Sequence, residues 1–289
     1  MHTVSIIGAS GYSGQETLDR VLGHPELVLA ALGSDTNAGQ PASVLDPRLM
    51  RVADSIPAFV TNSEALATPA DVVFLCQGHE TAAAFEPPAE SIVVDLSGAH
   101  RLNDPALYEQ WYGFSHPQPH ALSSWSYAVP ELSPPSGRLI ANPGCYAIAT
   151  ILALAPLAGS IDATSVVVDA KSGVSGAGRA LKDTSHAGAV LENFKPYRVG
   201  SHQHEPEIAQ TLGFDVCFVP HLLPIRRGIV ATCYVIPNAE ADLRTLLETA
   251  YADAPTVDVL PEGVTPDLSR VQNTDATEIG LFHDQATDR

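Results

Sequence analysis

A glycine-rich turn between a β-rich run and a helical stretch constrains the fold of this chain more than any other feature. The β-rich residues 4–7 lead directly into Gly8, and glycines recur at Gly11 and Gly14 before a helical stretch near residues 15–22. Glycines let a backbone approach a phosphate, and the first turn of a helix supplies N–H donors. The turn therefore predicts a dinucleotide-binding site, with a purely structural tight turn as the alternative, since the spacing is G-x-x-G-x-x-G rather than G-x-G-x-x-G.

The predicted cofactor contacts lie in this turn and at the end of the second β-rich run. An acidic residue at the end of the second β-rich run usually bonds the hydroxyls of an unphosphorylated ribose, whereas a 2′-phosphate needs hydrogen-bond donors. Ser34 could bond either form, and Asp35 would repel a phosphate that it faced. The residues alone thus leave NADP and NAD open. The candidates for cofactor contacts here are Gly8, Ser10, Gly11, Tyr12, Ser13, Gly14 and Ser34.

The order of β-rich and helical segments indicates two domains of different character. Short β-rich runs at residues 4–7, 27–32, 72–75 and 92–96 alternate with helical stretches, which is typical of parallel strands joined by crossover helices. Beyond about residue 165 the strands at 166–170, 216–220 and 229–236 are longer, with fewer helices between them. We expect an α/β fold: a doubly wound nucleotide-binding domain over 1–143, an α+β domain with a mixed sheet over 144–269, and residues 270–289 returning to the first domain.

The composition of the chain limits the classes of partner that it could bind and the location that we expect for it. The formal charge of −18 argues against a nucleic-acid partner, because phosphate neutralisation needs clustered Lys and Arg. No apolar run reaches the roughly 18 residues that a membrane span needs, and the N-terminus lacks a signal-peptide pattern, so we expect a cytoplasmic protein. Lys171, Lys182 and Lys195, with Arg179 and Arg198, concentrate positive charge in one stretch. That stretch could meet an anionic ligand or could be a basic surface loop.

Cys145 differs from the other cysteines in its local sequence. Cys76, Cys217 and Cys233 lie in β-rich runs and read as small buried hydrophobes. Cys145 follows Asn142-Pro143-Gly144 and precedes the helix-forming run 146–154. A thiol at a helix N-terminus is favoured as thiolate and is then an activated nucleophile. The alternative is a small residue that only packs at the helix start.

Two histidines are candidates for the base that such a nucleophile requires. His202 and His204 precede Pro206, which suits the first turn of a helix, so we expect both to lie just before that helix. His204 could instead cap or pack there. A zinc site with His221 is the rival interpretation, but no further ligand spacing supports it, and we predict no metal.

A second glycine-rich loop and two arginines complete the candidates. Ser172, Gly173, Ser175 and Gly176 follow the strand at 166–170, which predicts a backbone that approaches a ligand, with a flexible linker as the alternative. Arg101 follows the small residues 97–99, and Arg227 precedes Gly228. Each could clamp a carboxylate or phosphate, or form a structural salt bridge.

Six segments, in the same order and at similar intervals, resemble the N-acetyl-gamma-glutamyl-phosphate reductase family of arginine biosynthesis over nearly the whole chain. The segments are residues 8–14, 96–104, 142–147, 172–179, 202–208 and 227–229. The resemblance implies a Rossmann-type domain followed by a catalytic and dimerisation domain. It implies that Cys145 attacks an acyl phosphate, that phosphate leaves, and that NADPH reduces the resulting thioester to a semialdehyde.

The resemblance also implies roles for individual residues and for partners. His202 or His204 would handle protons, and Arg101 would hold phosphate by analogy with aspartate-semialdehyde dehydrogenases. Loop 172–178 would lie near the nicotinamide and the substrate. The chain would associate as a homodimer or homotetramer through the sheet of the second domain. The further substrate-binding candidates are Ser97, Gly98, Asn142, Lys195, Arg198 and Arg227.

Three departures from the family pattern leave alternatives. Ile148 stands where the family usually has Thr, and Asp35 occupies a position where the family often has a residue that favours phosphate. Family members also continue beyond residue 289. We therefore expect this chain to be less stable than a longer one. Aspartate-semialdehyde dehydrogenase is disfavoured by Tyr146. A reductase of carrier-linked aminoadipyl phosphate in lysine biosynthesis and an inactive NADP-binding module stay open.

Overall fold

The chain divides into two compact units in the computed structural model, which describes residues 1–179, 187–238, 241–287 and 289. The first unit comprises Met1–Ala128 and Pro135–Pro143, and the second comprises Val129–Pro134 and Gly144–Arg289. Lys182, one of the lysines singled out in the sequence, lies outside the described residues.

The first unit is built on a parallel sheet of seven strands with the order β3-β2-β1-β4-β5-β7-β6. Its elements are β1 His2–Ile7, α1 Tyr12–Gly23, β2 Leu27–Gly33, β3 Phe59–Val60, α2 Asn62–Ala67, β4 Val72–Leu75, α3 His79–Ala83, β5 Ile92–Asp95, α4 Leu107–Tyr112, β6 Ser126–Tyr127 and β7 Leu139–Ala141.

Both faces of this sheet are covered, as parallel sheets require. On one face Val4 and Ile6 of β1 pack in a cluster with Leu18 of α1, while Ile7 and Leu75 belong to a cluster on the other face. The strands therefore read as nearly continuous apolar runs in the sequence. Because the strands are parallel, the loops that follow β1, β2, β4, β5 and β7 all leave the sheet at one edge.

The second unit contains a mixed sheet of four strands with the order β11-β8-β10-β9, and a separate parallel pair, β12 and β13. Its elements are α5 Cys145–Leu154, β8 Val167–Gly173, α6 Ala187–Val190, β9 Lys195–Pro196, α7 His204–Leu212, β10 Cys217–Leu223, β11 Ile229–Tyr234, α8 Leu243–Ala250, β12 Val257–Val259, α9 Leu268–Val271 and β13 Thr277–Ile279.

Alternation along β8 gives the four-stranded sheet a buried face and an open one. Val168, Ala170 and Phe218 are buried on one face, and α5 contacts β8, β11 and α7. Val167, Asp169 and Lys171 point to the opposite face and are only partly buried. Helix α5 thus runs across the buried face and presents its first residue at one end of it.

The structure corrects four expectations. Residues 270–289 belong to the second unit, where β13 pairs with β12, and not to the first. Helix α7 starts at His204 and not after both histidines, because Pro206 needs no N–H acceptor in a first turn. Cys217 is exposed at the start of β10, and β7 adds a strand where the sequence indicated only a boundary loop.

Candidate active site

The glycine turn of the first unit has the tight backbone that a phosphate cradle needs. Gly8 has a φ of 81°, and a Cβ there would lie 2.6 Å from the carbonyl oxygen of Cys76. A Cβ on Gly14 would lie 2.5 Å from the carbonyl oxygen of Gly8, so neither position accepts a side chain. Gly11 is the N-cap of α1 and provides no side-chain cap, which leaves the amides of the first turn to face outward. This turn fits a pyrophosphate.

Ser34 joins the same site through Ser10. Its hydroxyl donates to the Ser10 hydroxyl over 2.8 Å, which places the end of β2 beside the glycine turn. The structure therefore brings together all the cofactor candidates of the first unit, which are Gly8, Ser10, Gly11, Tyr12, Ser13, Gly14 and Ser34.

A buried carboxylate organises the loop that follows β5. Asp95 is fully buried and accepts hydrogen bonds from the Ser97 amide at 2.8 Å and the Ser97 hydroxyl at 3.0 Å. The Nδ1 atom of His100 lies 2.6 Å from the same carboxylate, and the His100 ring stacks on Trp125 with 3.8 Å between centroids. The turn before Arg101 is thus held from inside the unit.

Arg101 is buried and engaged with backbone carbonyls. Its Nε donates to the Asn142 carbonyl at 2.8 Å, and one Nη donates to the Leu96 carbonyl at 3.0 Å. Gly98 packs against Tyr112, whose ring carbon would lie 2.3 Å from a Cβ on Gly98. The four first-unit substrate candidates, Ser97, Gly98, Arg101 and Asn142, therefore share one edge of the parallel sheet.

Cys145 is the first residue of α5 and is exposed. The N-cap is Gly144, whose amide donates to the Glu207 carboxylate over 2.6 Å. A Cβ on Gly144 would lie 2.3 Å from the Nε2 atom of His204, so the imidazole rests directly against the residue before the thiol. Glu207 and His204 both come from the first turn of α7, which makes that turn the wall of the cysteine site.

His202 lies behind His204 in an aromatic cluster. Its Nδ1 accepts the His204 amide at 3.2 Å and thereby caps the start of α7. The rings of Tyr146, Tyr197 and Phe218 lie 5.5, 5.7 and 5.3 Å from its centroid. Burial, with the nearby His204 and Arg198, lowers the pKa of His202 to about 3. His202 is therefore neutral at physiological pH.

The second glycine-rich loop borders a cavity of about 520 Å³ that Cys145 also lines. Ser172, Ser175, Gly176 and Gly228 are among its lining residues, and the remaining walls are mainly apolar. Gly173 supports this loop, because its amide donates to the Gly228 carbonyl at 3.0 Å and a Cβ on it would lie 2.7 Å from the Arg227 backbone. The predicted loop and the predicted nucleophile thus share one cavity.

Three cationic candidates are not brought to this cavity. Among the described residues that line it, Lys195, Arg198 and Arg227 are absent. Lys195 lies on β9, and Arg198 donates to the side-chain oxygen of Gln203. Within the described part of the chain, no three His, Cys, Asp or Glu side chains are grouped to hold a metal ion.

The other thiols have surroundings that differ from those of Cys145. Burial raises the pKa of Cys76 and of Cys233 to about 12, so both stay protonated. Cys217 is exposed on the open sheet face and has no place in the cavity described above.

Sequence reasoning missed two residues that shape these sites. Glu207 lies in the run 202–208 that was singled out for its histidines, and its spacing of three from His204 places both on one helix face. Asn62 contacts the glycine turn through a side-chain bond to the Gly8 amide at 2.9 Å. No local pattern in the sequence indicated that contact, because the two residues are 54 positions apart.

Comparison with known proteins identifies the class and then the family. Residues 3–138 match the model of the semialdehyde dehydrogenase NAD binding domain, and residues 145–289 match that of the semialdehyde dehydrogenase dimerisation domain. A relative from Salinispora arenicola, named N-acetyl-gamma-glutamyl-phosphate reductase, is 45% identical over 91% of this chain and 80% of its own length. One of the same name from Pseudomonas savastanoi is 39% identical over 100% of this chain and 88% of its own length. The chain belongs to the semialdehyde dehydrogenases and, among them, to the N-acetyl-gamma-glutamyl-phosphate reductase family of oxidoreductases in arginine biosynthesis.

Solved structures of the same class confirm the predicted fold class. Aspartate semialdehyde dehydrogenase II from Vibrio cholerae superposes with a TM-score of 0.72 at 16% identity, covering 99% of this chain and 90% of that one. The Candida albicans enzyme, solved with NADP, gives 0.66 at 16% identity, covering 97% and 88%. At this identity the likeness shows the fold alone. Separately, no helix within residues 1–179, 187–238, 241–287 and 289 is long and apolar enough to cross a membrane.

The depressed pKa of His202 predicts a pH-dependent loss of stability. Its folded-state pKa of about 3 lies below the ordinary 6.5, so the unfolded chain takes up the proton first. The stability that neutral His202 contributes is complete above pH 6.5 and is lost as pH falls. Between pH 7 and pH 5 the free energy of unfolding should fall by about 2 kcal/mol through this residue.

Urea denaturation at both pH values measures this difference. His202→Gln keeps an acceptor for the His204 amide but cannot titrate, so it should show a smaller loss by about that amount. Equal losses in the two proteins would contradict the buried, neutral state of His202.

Proposed function

We propose that this chain reduces N-acetyl-gamma-glutamyl phosphate to N-acetylglutamate semialdehyde and phosphate, with NADPH as reductant. The names of relatives 39–45% identical to the chain support the substrate, and the match to an NAD binding domain supports a dinucleotide. The observation that carries the proposal is an exposed thiol at the first residue of α5, opening on a cavity and flanked by a buried histidine. The first unit would bind the nucleotide, and the second would carry the catalytic residues.

Cys145 is the nucleophile in this proposal. The start of α5 favours its thiolate through the helix dipole. The sulfur attacks the acyl carbon, the bond between that carbon and the phosphate oxygen breaks, and phosphate leaves with the electron pair. A thioester on Cys145 results.

His204 carries the proton. Its Nε2 faces the residue next to the thiol, whereas His202 has its Nδ1 occupied and a pKa of about 3. His204 takes the Cys145 proton and passes it to the departing phosphate oxygen. After reduction the carbonyl re-forms, the C–S bond breaks, and the thiolate recovers a proton from solvent.

When bound, the nicotinamide would supply the hydride that reduces the thioester. On the protein side, the glycine turn and Ser34 would hold the nucleotide, with backbone amides at the start of α1 available to its phosphates. Ser172, Ser175 and Gly176 line the cysteine cavity, with Gly173 supporting their loop, and exclude water from the thioester.

Arg101 is our candidate for the substrate phosphate. Two of its donors hold the Asn142 and Leu96 carbonyls, which fixes the direction of the guanidinium. Ser97, Gly98 and Asn142 adjoin it at the same sheet edge. Arg227, beside the second glycine loop, is a weaker candidate, and Lys195 and Arg198 are weaker still, because their described contacts lie away from the cavity.

A cytoplasmic location stays a prediction of the sequence.

The reverse reaction tests the proposal most directly. With N-acetylglutamate semialdehyde, phosphate and NADP⁺, absorbance of the reduced nicotinamide should rise, and Cys145→Ser should lower kcat by about a thousandfold or more. Cys217→Ser is the matched control, an exposed thiol in the same unit that should keep its rate. Equal rates for Cys145→Ser and the unmodified chain would contradict the role of Cys145 as nucleophile. Turnover only with aspartate semialdehyde would instead support the alternative enzyme.

The two histidines should differ in kinetics. His204→Asn is expected to lower kcat by about a hundredfold or more and to remove a limb of the pH–rate profile, because the proton carrier is lost. His202→Gln keeps the cap of α7 and should retain that limb and most of the rate. The opposite pattern would identify His202 as the residue that carries the proton.

We further propose that the chain self-associates, as a homodimer or homotetramer, through the open face of the four-stranded sheet. The matched model of residues 145–289 describes a dimerisation domain. On this face lie Val167, Asp169 and Lys171, together with Tyr234, which is 43% exposed and pairs with Val167 across the strands. A partly apolar sheet face of this kind gains by burial against another copy.

Sedimentation velocity tests the association surface. Tyr234→Glu places a charge on the open face and should shift the chain toward monomer. Val264→Glu, at a position 40% exposed in the loop between β12 and α9, should leave the oligomer unchanged. If the two variants sediment alike, this face is not the interface.

A further inference from the structure

Asp35 does not have the free carboxylate that its position in the sequence implies. It follows β2 by two residues, where an acid commonly bonds the ribose hydroxyls and selects the unphosphorylated dinucleotide. Here the carboxylate accepts the Asn62 backbone amide at 2.8 Å and the Asn62 side-chain Nδ2 at 2.7 Å. Asn62 is the first residue of α2, so the charge of Asp35 also meets the positive end of a helix.

The other end of the Asn62 amide supports the glycine turn. Its Oδ1 accepts the Gly8 amide at 2.9 Å and would lie 2.7 Å from a Cβ on Gly33. Only this orientation of the amide satisfies both partners, because Asp35 offers an acceptor and Gly8 a donor. One side chain therefore ties the carboxylate after β2 to the turn after β1.

What remains beside the turn is a neutral set of hydroxyl and amide groups. Ser34 donates to Ser10 at 2.8 Å, and the Asn37 Nδ2 donates to the Ser34 hydroxyl at 3.2 Å and to the Thr36 hydroxyl at 2.9 Å. Such groups can turn donors toward an anion without opposing it by charge.

We propose that Asn62 determines dinucleotide specificity by holding Asp35. With its carboxylate engaged, Asp35 offers less to the ribose hydroxyls of NAD and repels a 2′-phosphate less, and the Ser10, Ser34, Thr36 and Asn37 cluster can meet that phosphate. This inference rests on the proposed binding of a dinucleotide at the glycine turn. It assigns the preference for NADP over NAD to Asn62, which contacts both the Asp35 carboxylate and the glycine turn.

Calorimetric binding of NADP⁺, NAD⁺, 2′,5′-ADP and 5′-AMP tests the inference without turnover. Asn62→Asp keeps the acceptor for Gly8 but replaces the side-chain donor to Asp35 by a second carboxylate, so that only the backbone amide of residue 62 still holds Asp35. The ratio of NADP⁺ to NAD⁺ affinity should fall at least about tenfold, and that of 2′,5′-ADP to 5′-AMP should fall with it. The exchanged pair Asp35→Asn with Asn62→Asp restores a donor facing a carboxylate at unchanged net charge, and it should recover most of the preference.

Asp35→Asn alone keeps an acceptor for the Asn62 amide and serves as the second variant should the first be unstable. It should leave the NADP⁺ to NAD⁺ ratio within about threefold of the unmodified chain, since the ribose does not use this carboxylate. A selective loss of NAD⁺ binding in Asp35→Asn would overturn the inference. Equal loss of both dinucleotides in Asn62→Asp would do so too, because Asn62 would then support only the loop. An unmodified chain that binds none of the four ligands would contradict the proposed function instead.

Discussion

The cysteine site depends on one buried hydrogen bond, from the Gly144 amide to the Glu207 carboxylate over 2.6 Å. Glu207 is fully buried, so its carboxyl oxygens need hydrogen-bond donors, and the start of α5 supplies one. The same bond fixes the first turn of α7 against Gly144, where His204 fills the space that a Cβ would need. Cys145, His204 and Glu207 are thus positioned by the packing of two helix starts, and a glycine is required between them.

The first unit uses the same physical arrangement twice, with a side chain satisfying backbone amides of a loop at the sheet edge. Asp95 holds the turn at Ser97 from inside the unit, and Asn62 holds the amide of Gly8. In each case the supporting residue is positioned by a strand end or a helix start and the loop contributes backbone. Loops that bind a ligand need this support, because glycine-rich backbone loses much conformational freedom when it is ordered.

Local sequence pattern predicted a large part of the fold and of the site. Strand β4 was predicted with its observed bounds, and the start of α5 at Cys145 followed from the helix-forming run behind Gly144. The pairing of residues 277–279 with β12 could not be read, since short strands carry too little periodicity to reveal their partner. The Asp35–Asn62 contact was hidden for the same reason, because it joins residues 27 apart. The sequence shows that Asp35 is acidic and follows a strand, but its hydrogen-bond partner, Asn62, is known only from the folded chain.

The four thiols of the chain differ in their burial and in the element that carries them. Burial raises the pKa of Cys76 and Cys233 to about 12, so neither is a thiolate at neutral pH. Cys217 is exposed at the first residue of a strand. Cys145 alone combines exposure, a helix start and an adjacent histidine. The proposed reactivity of Cys145 therefore depends on its place at the first residue of a helix, a setting that none of the other three thiols has.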